Sequence, residues 1–325
     1  MLTRRMTSLL ENNTKNTLLN NTPLINKKKQ NLFVKRLTKL LVYITMQEKG
    51  EIDNTELCRT LSLLNAHHRD SHISFQELGH IYDVDGDKTF TSVTKFVHGF
   101  AKPFNASEVI AGMRRKGLSA EYEGMSDWEI KQKWKRNGID ASSRGTKMHY
   151  QIECYFNRLA ITRKWELNEN DMKGWRENDL DIELGQFINF ISGLQHNGSL
   201  FPYRTEWCIY HEELKFTGSV DMVFKNNNGG YDIYDWKRSK EIKKNGFNNF
   251  KNEALIHLPD CNFWHYTMQL NLYKYILESK YGLRIDNLYL VAFHPNNGVG
   301  NFLKFKCPEI QDTMKELFAN SRGFS

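Results

Sequence analysis

Residues 216–240 read FTGSVDMVFKNNNGGYDIYDWKRSK, and the predicted fold is organised around this stretch. Its first part alternates small or polar residues with apolar ones, which is typical of a half-buried strand. The central asparagines and glycines favour a turn because both residue types tolerate positive φ. The last part is rich in aromatic and β-branched residues and indicates a second strand. The sequence therefore predicts an antiparallel hairpin that brings Asp221 close to Asp235 and Lys237.

These three side chains indicate a chemistry. Asp235 and Lys237 are two positions apart on a strand, so they point to the same face. Two carboxylates brought together repel each other unless a cation offsets their charge, and Mg²⁺ or Mn²⁺ is the usual cation. A lysine beside them can hold a water and face a phosphate, as in metal-assisted phosphodiester hydrolysis. A plain hairpin with a cross-strand Asp–Lys salt bridge fits the same spacing, and both interpretations stay open here.

Composition sets the class of protein. The chain has 325 residues, of which 40% are apolar and 26% charged, as in a soluble globular protein of one large or two smaller domains. No apolar run approaches the roughly 18–20 residues that span a bilayer, so we expect no membrane partner. The five cysteines are far apart and form no CxxC pair. We therefore expect no iron–sulfur cluster, and an intracellular protein of the nucleus or cytoplasm.

The basic charge is concentrated at the N-terminus. Residues 1–47 hold nine Lys or Arg and one Glu, whereas the rest of the chain holds 36 basic and 37 acidic residues. Residues 1–31 are also rich in Asn and Thr, and we predict a disordered tail. Three interpretations of this tail remain: a solvated segment, an arm that binds nucleic acid without specificity, or a mitochondrial presequence.

Two segments lead from the tail into the core. Residues 32–73 are predicted to be a helical extension, with one helix over 32–47 and another from Asp53 or Asn54 to about Asn65. Residues 74–139 are predicted to contain a hairpin at 80–93, a helix capped by Ser92 or Thr94, and helices over 104–116 and 127–136. Three nearby histidines are interpreted as a surface cluster rather than a metal site: His67, His68 and His72.

Residues 142–160 read SSRGTKMHYQIECYFNRLA and form the second informative stretch. Gly145 is expected to end a loop, with a helix running on from Thr146. His149 and Glu153 are four residues apart and so lie on one face of that helix. An imidazole and a carboxylate one turn apart can both bind a metal, but the spacing taken alone favours an ordinary His–Glu helix pair.

The rest of the chain alternates helices and strands. Gln269 and Tyr273 share one face of a clear amphipathic helix. The predicted elements are a loop at 168–175, a helix at 180–194, a strand at 203–211, a mobile connection at 239–259, a helix at 262–280, strands at 287–294 and 302–305, and a closing helix at 308–318.

The order of these motifs resembles the PD-(D/E)xK nuclease superfamily, and its RecB-like branch in particular. The matching motifs span about residues 140–295 and are Gly145-x₃-His149-x₃-Glu153, Gly218-x-x-Asp221, Asp235-x-Lys237 and Gln269-x₃-Tyr273. The segment Ser92-Val93-Thr94 and the helix after it also resemble the region ahead of the core in mitochondrial genome maintenance exonucleases. Val220 stands where the superfamily name has proline, as is usual in the RecB-like branch.

The resemblance implies a fold and a set of roles. The fold would be α/β, with a PD-(D/E)xK core over residues 140–325 in which helices flank a central mixed sheet. His149, Asp221 and Asp235 would bind one or two Mg²⁺ or Mn²⁺ ions, with the carbonyl of Trp236 or Lys237 as a further ligand. Glu153 would bind or orient a second metal or its water, and Lys237 would position the attacking water. The residues implied to support the site or to contact nucleic acid are Gln269, Tyr273, Gly145, Gly218, Arg238 and Lys240.

The function implied is that of a metal-dependent deoxyribonuclease. An exonuclease that acts on single-stranded or frayed DNA ends in replication, repair or recombination is favoured, with replication or recombination proteins as partners. The alternatives are an endonuclease and a catalytically silent nucleic-acid-binding module on the same fold. Four tryptophans in the upstream segments are candidates to cover a strand-threading channel: Trp128, Trp134, Trp165 and Trp175.

Overall fold

The computed structural model describes residues 54–246 and 248–321. The basic tail and the predicted helix over 32–47 lie outside these residues. The strands are β1 (Ile73–Gln76), β2 (Ile81–Val84), β3 (Thr91–Ser92), β4 (Leu200–His211), β5 (Phe216–Asn226), β6 (Tyr231–Lys237), β7 (Ile285–Ala292) and β8 (Leu303–Lys306). The α-helices are α1 (Asn54–Leu57), α2 (Thr60–Leu64), α3 (Val93–His98), α4 (Ala106–Lys116), α5 (Asp127–Thr162), α6 (Glu169–Arg176), α7 (Asp181–Asn197), α8 (Asn262–Tyr281) and α9 (Gln311–Ser321).

The main sheet is built around the predicted hairpin. β5 pairs antiparallel with β4 along one edge, and its other edge is shared between β6 and the short strand β3. β6 continues the sheet parallel to β7, and β7 pairs antiparallel with β8. Six strands thus form one mixed sheet, and the predicted α/β class with a mixed sheet is confirmed.

The turn between β5 and β6 follows from its asparagines and glycines. The side-chain oxygen of Asn226 accepts hydrogen bonds from the backbone N–H groups of Asn228 and Gly230. Gly229 has a φ of 76°, which glycine adopts without steric cost. The turn fixes the register in which Met222 lies opposite Tyr234.

Helices cover both faces of the sheet because alternate strand residues point to opposite sides. On one face, Val223 and Ile233 belong to an apolar cluster with residues of α3, α8 and α9. On the other face, Met222 and Tyr234 belong to a cluster with residues of α5, α6 and α7. The sheet is therefore buried between two helical layers.

α5 is one continuous helix of 36 residues, about 54 Å long at 1.5 Å per residue. Ser126 begins it with a capping box, and Arg163 in the left-handed conformation ends it. The expected loop before Thr146 is therefore wrong: Gly138 and Gly145 both lie within the helix. The boundary drawn at residue 139 also falls inside it, so the upstream segment and the core segment share this helix.

Three other predictions need correction. The hairpin over 80–93 is wrong, because β2 pairs with β1 and Thr91–Ser92 joins the main sheet instead. The loop predicted at 168–175 is the helix α6, which Asn168 caps. The connection after β6 is irregular as expected, but Phe250 and Leu255 anchor it in the core rather than leaving it loose.

The remaining element predictions agree closely with the structure. Ser92 caps α3, α8 ends at the predicted Gly282, and β4 spans the predicted strand. None of the helices in the described residues combines the length and apolar character that a membrane span requires.

Candidate metal centre

The centre lies where β5 and β6 separate. Their pairing ends at Met222 opposite Tyr234, and Asp221 and Asp235 are the next residues beyond that pair. The backbone N–H of Trp236 donates to Asp221 Oδ2 at 2.8 Å. The aspartate side chain thus accepts a backbone N–H of β6 at the point where the backbone pairing of the two strands has ended. Both carboxylates are buried. The predicted convergence of the two aspartates at the hairpin is confirmed.

His149 reaches the same point from α5. Its neighbours Met148 and Ile152 are buried against the sheet and fix this turn of the helix. The Nε2 atom of His149 is 2.9 Å from the Trp236 carbonyl oxygen, which can only accept, so Nε2 carries a proton. Nδ1 lies 3.5 Å from Glu206 Oε1 and 3.7 Å from Asp221 Oδ2. The ring is thus oriented with Nδ1 towards two carboxylates.

Glu206 is the site residue that the sequence predictions missed. It lies on β4 between residues that pair with Met222 and Val220, and therefore across from Asp221. Its backbone is left-handed, with φ at 41°, and Ser219 Oγ donates to its Oε2. One ligand atom each from His149, Glu206 and Asp221 lies within 4.8 Å of the others. Of the residues in this centre, these three have the arrangement that most resembles a set of metal ligands.

Asp235 and Lys237 share a face of β6, as predicted. Lys237 Nζ is 2.7 Å from Asp235 Oδ2 and 4.9 Å from the centre of the Tyr266 ring. Asp235 is only 2% exposed, and the Lys237 ammonium, within hydrogen-bonding distance of Oδ2, is the partner that the described part of the chain gives its carboxylate, whereas Oδ1 has none. A buried carboxylate oxygen without a hydrogen bond is costly unless another group satisfies it.

The charges of the centre are unbalanced. Burial raises the pKa of Asp235 to about 6, with Lys237 opposing the rise, and burial also raises the pKa of Asp221. Burial lowers the pKa of His149, but Asp221 and Glu206 outweigh this effect and raise it to about 9. Lys237 stays charged because Asp235 and Asp221 outweigh its burial. The raised pKa values of the two aspartates show that His149 and Lys237 do not fully offset the cost of burying these acids. Shifted pKa values of this kind are typical of functional sites.

Glu153 lies one turn beyond His149 but outside the three-residue group. Its carboxyl faces the Cys58 thiol and the charge of Glu206. Burial, followed by Glu206, raises its pKa to about 8. The structure therefore brings Glu153 to the edge of the centre and leaves its expected role as a metal ligand a prediction.

Gln269, Tyr273 and Gly218 form a support beneath the centre. Gln269 Nε2 donates to the Tyr273 hydroxyl at 2.9 Å, and the tyrosine is buried. A Cβ atom on Gly218 would lie 2.5 Å from Tyr273 Cε1. Glycine at this position therefore lets the α8 tyrosine pack directly against β5, three residues before Asp221.

The other predicted residues are not assembled into the centre. Arg238 makes a buried ion pair with Glu183, whose carboxylate is 2.8 Å away, and Lys240 is exposed. Gly145 is on α5 with open space around it. The two carbonyls expected as further ligands already accept hydrogen bonds, that of Trp236 from His149 and that of Lys237 from the Phe293 N–H.

Comparisons with known proteins add little. No protein-family model matches the chain, and no curated protein matches it. One solved structure, titled "Crystal structure of SSO0001", is 16% identical over 56% of this chain and 72% of that chain, with a TM-score of 0.21. A likeness at this level carries no argument about fold or function.

Proposed function

We propose that this protein is a metal-dependent nuclease that hydrolyses DNA phosphodiester bonds at the centre between β5 and β6. The observation that carries the proposal is the buried Asp235 carboxylate, whose Oδ2 is paired with Lys237 while its Oδ1 has no partner among the described residues. Asp221, Glu206 and His149 meet at the same split of the sheet. This donor set of carboxylates and one imidazole suits Mg²⁺ or Mn²⁺.

The residues present fit such an ion. Asp221, Asp235, Glu206 and His149 would hold it, with Glu153 at the edge available for a second. When bound, the ion would polarise a phosphate oxygen and lower the pKa of a bound water. His149 would bind through Nδ1, because Nε2 is committed to the Trp236 carbonyl.

The chain's own residues supply the rest of the chemistry. The Lys237 ammonium would orient the attacking water and stabilise negative charge that develops on the phosphate. Asp235, at 2.7 Å, holds that ammonium in place. Tyr273 and Gln269 support β5 from below, so they would position the acids without touching the substrate.

The fold assignment belongs to the same proposal. A mixed sheet with helices on both faces is compatible with many α/β folds. We propose the PD-(D/E)xK core because His149, Asp221, Asp235-x-Lys237 and Gln269-x₃-Tyr273 occur in that order and meet around one split in the sheet. A catalytically silent nucleic-acid-binding module on the same fold is less well supported, because it would not require a buried Asp235 oxygen that has no partner among the described residues.

The preferred substrate is a free single-stranded or frayed DNA end, in replication, repair or recombination. The chain beyond residue 47 holds 36 basic and 37 acidic residues, so it lacks the overall positive charge that grips long duplex. A narrow path for one strand needs fewer cations.

The proposal is tested by incubating the purified protein with three substrates: an end-labelled linear single strand of DNA, the same DNA closed into a circle, and an RNA of the same sequence. We expect cleavage of the linear strand with Mg²⁺ or Mn²⁺ and none in EDTA. Equal cleavage of the circle would show an endonuclease. Absence of cleavage of all three substrates with either ion would contradict the proposal.

A further inference from the structure

The N-terminal two-thirds of α5 projects as an unusually exposed helix. Every residue from 135 to 143 is exposed, so no face of this stretch is buried in the described structure. A helix that is polar and exposed all round bridges two parts of a protein through solvent or is stabilised by pairs of side chains four residues apart. The segment from Phe104 to Lys147, which contains α4 and this part of α5, is called the arm below.

The far end of the arm is held together by its own contacts. Arg114 Nε is 2.6 Å from Asp127 Oδ1, and Trp134 Nε1 donates to the Tyr122 hydroxyl at 3.1 Å. Ile130 is buried between α4 and α5. The arm is therefore a folded projection and not a frayed helix end.

The arm carries cations without partners. Most of its acids are neutralised by ion pairs: Glu108 with Lys102, Glu121 with Lys133, Asp127 with Arg114, and Asp140 with Arg144. Five exposed cations have no ion-pair partner among the described residues: Arg115, Lys116, Lys135, Arg136 and Lys147. Two acids of the arm have no ion pair among the described residues: Glu129, which accepts hydrogen bonds from Ser126 at the helix cap, and the exposed Glu123. The arm thus holds nine Lys or Arg and six Asp or Glu, a formal charge of +3, whereas residues 48–103 and 148–325 hold 27 basic and 31 acidic residues.

Large aromatic surfaces accompany these cations. Trp128 is 67% exposed and Phe104 is 72% exposed. Of the four tryptophans considered as channel cover, Trp175 is buried and Trp134 and Trp165 are partly buried, so Trp128 alone has an open ring. Exposed rings beside unpaired cations are the combination by which proteins bind single strands, through base stacking and phosphate contacts.

The arm leads directly to the metal centre. Arg136 and Trp128 are about 20 Å and 32 Å from His149 along the helix axis, at 1.5 Å per residue. Gly138, Ser142 and Gly145 lie 11, 7 and 4 residues before His149 and so share its helix face. A nucleic-acid strand that follows this face from Gly138 passes only small side chains before it reaches His149.

We propose that the arm binds single-stranded nucleic acid and guides it along α5 to the metal centre, an inference that rests on the proposed function. Lys135, which lies on the same helix face as Trp128 and His149, contacts a phosphate, and Trp128 stacks on an unpaired base. The ring of Trp128 has no open base face to stack on in an intact duplex, so a single strand is the preferred occupant.

The test is binding of a fluorescent oligothymidylate in EDTA, where no cleavage interferes, across a range of salt concentrations. The variant Lys135→Gln should weaken binding and make the slope of log Kd against log salt shallower by about 0.7, the value for one lost phosphate contact. Trp128→Ala should weaken binding at least about fivefold.

Lys164→Gln is the matched control, because it removes one exposed lysine just beyond the other end of the same helix. It should leave both Kd and slope unchanged. Equal effects of Lys135→Gln and Lys164→Gln would overturn the proposal, as would unchanged binding by Trp128→Ala or tighter binding of a duplex than of the single strand.

A second substrate separates this inference from the proposed function. Thymidine 5′-p-nitrophenyl phosphate is too small to reach the arm, so its Mn²⁺-dependent cleavage by the wild-type protein reports on the metal centre alone. Cleavage of this ester combined with normal strand binding by the arm variants would defeat the arm proposal only. Arm-dependent strand binding without cleavage of either substrate would defeat the proposed function only.

Discussion

At the scale of single residues, the charge of His149 would make the proposed metal binding depend on pH. Its pKa of about 9 means that the metal-free ring is protonated at neutral pH, held by Asp221 and Glu206. A cation that binds through Nδ1 must displace this proton, so affinity rises with pH. We expect Mn²⁺ affinity to increase up to about tenfold per pH unit between pH 6.5 and 8.5, for one proton released.

Calorimetric titration in two buffers with different ionisation enthalpies measures this release directly. The variant His149→Gln removes the titrating ring while keeping a polar side chain, and should bind Mn²⁺ more weakly with a shallower pH dependence. Wild-type affinity that does not change with pH would show that His149 is not a ligand.

At the scale of elements, two glycines with opposite surroundings should respond oppositely to alanine. Nothing lies within 4 Å of a Cβ atom on Gly145, whereas a Cβ atom on Gly218 would be 2.5 Å from the buried Tyr273 ring. We expect Gly145→Ala to stabilise the protein by about 0.5–1 kcal/mol, because it removes backbone freedom from the unfolded chain and favours helix. Gly218→Ala should destabilise it by about 1–3 kcal/mol through overpacking.

Urea unfolding of both variants beside the wild type measures these changes. Gly138→Ala is a second open helical position and should behave like Gly145→Ala. Loss of stability on Gly145→Ala would contradict the continuous α5, since a loop at residue 145 would gain nothing from a helix-forming residue.

The same elements show what the sequence can predict. The hairpin of β5 and β6 and the helix α8 were predicted because periodicity and turn residues are local signals. The continuity of α5 was missed because Gly138 and Gly145 lower helix propensity, which packing at both ends of the helix overrides. Glu206 was missed because its place opposite Asp221 depends on the pairing of β4 with β5, which no local pattern reveals.

At the scale of the whole molecule, the proposed function rests on a carboxylate site built where a mixed sheet splits between two helical layers. Asp232 and Asp235 lie on the same strand and are both buried. Asp232 accepts hydrogen bonds from Asn226 and Asn287, whereas the Asp235 carboxylate has only the Lys237 ammonium as a partner among the described residues, and its Oδ1 has none. Asp232 is therefore a structural carboxylate, whereas Asp235 is the one proposed to take part in the chemistry.

The most direct test is the single-turnover rate at which Asp235→Asn cleaves an end-labelled single strand with Mn²⁺, measured beside Asp232→Asn. Both substitutions conserve volume, so folding and strand binding in EDTA serve as common controls. We expect Asp235→Asn to lose at least about a hundredfold in rate while it still binds the strand, and Asp232→Asn to cleave at nearly the wild-type rate if it remains folded. Wild-type cleavage by Asp235→Asn would contradict the proposed metal centre.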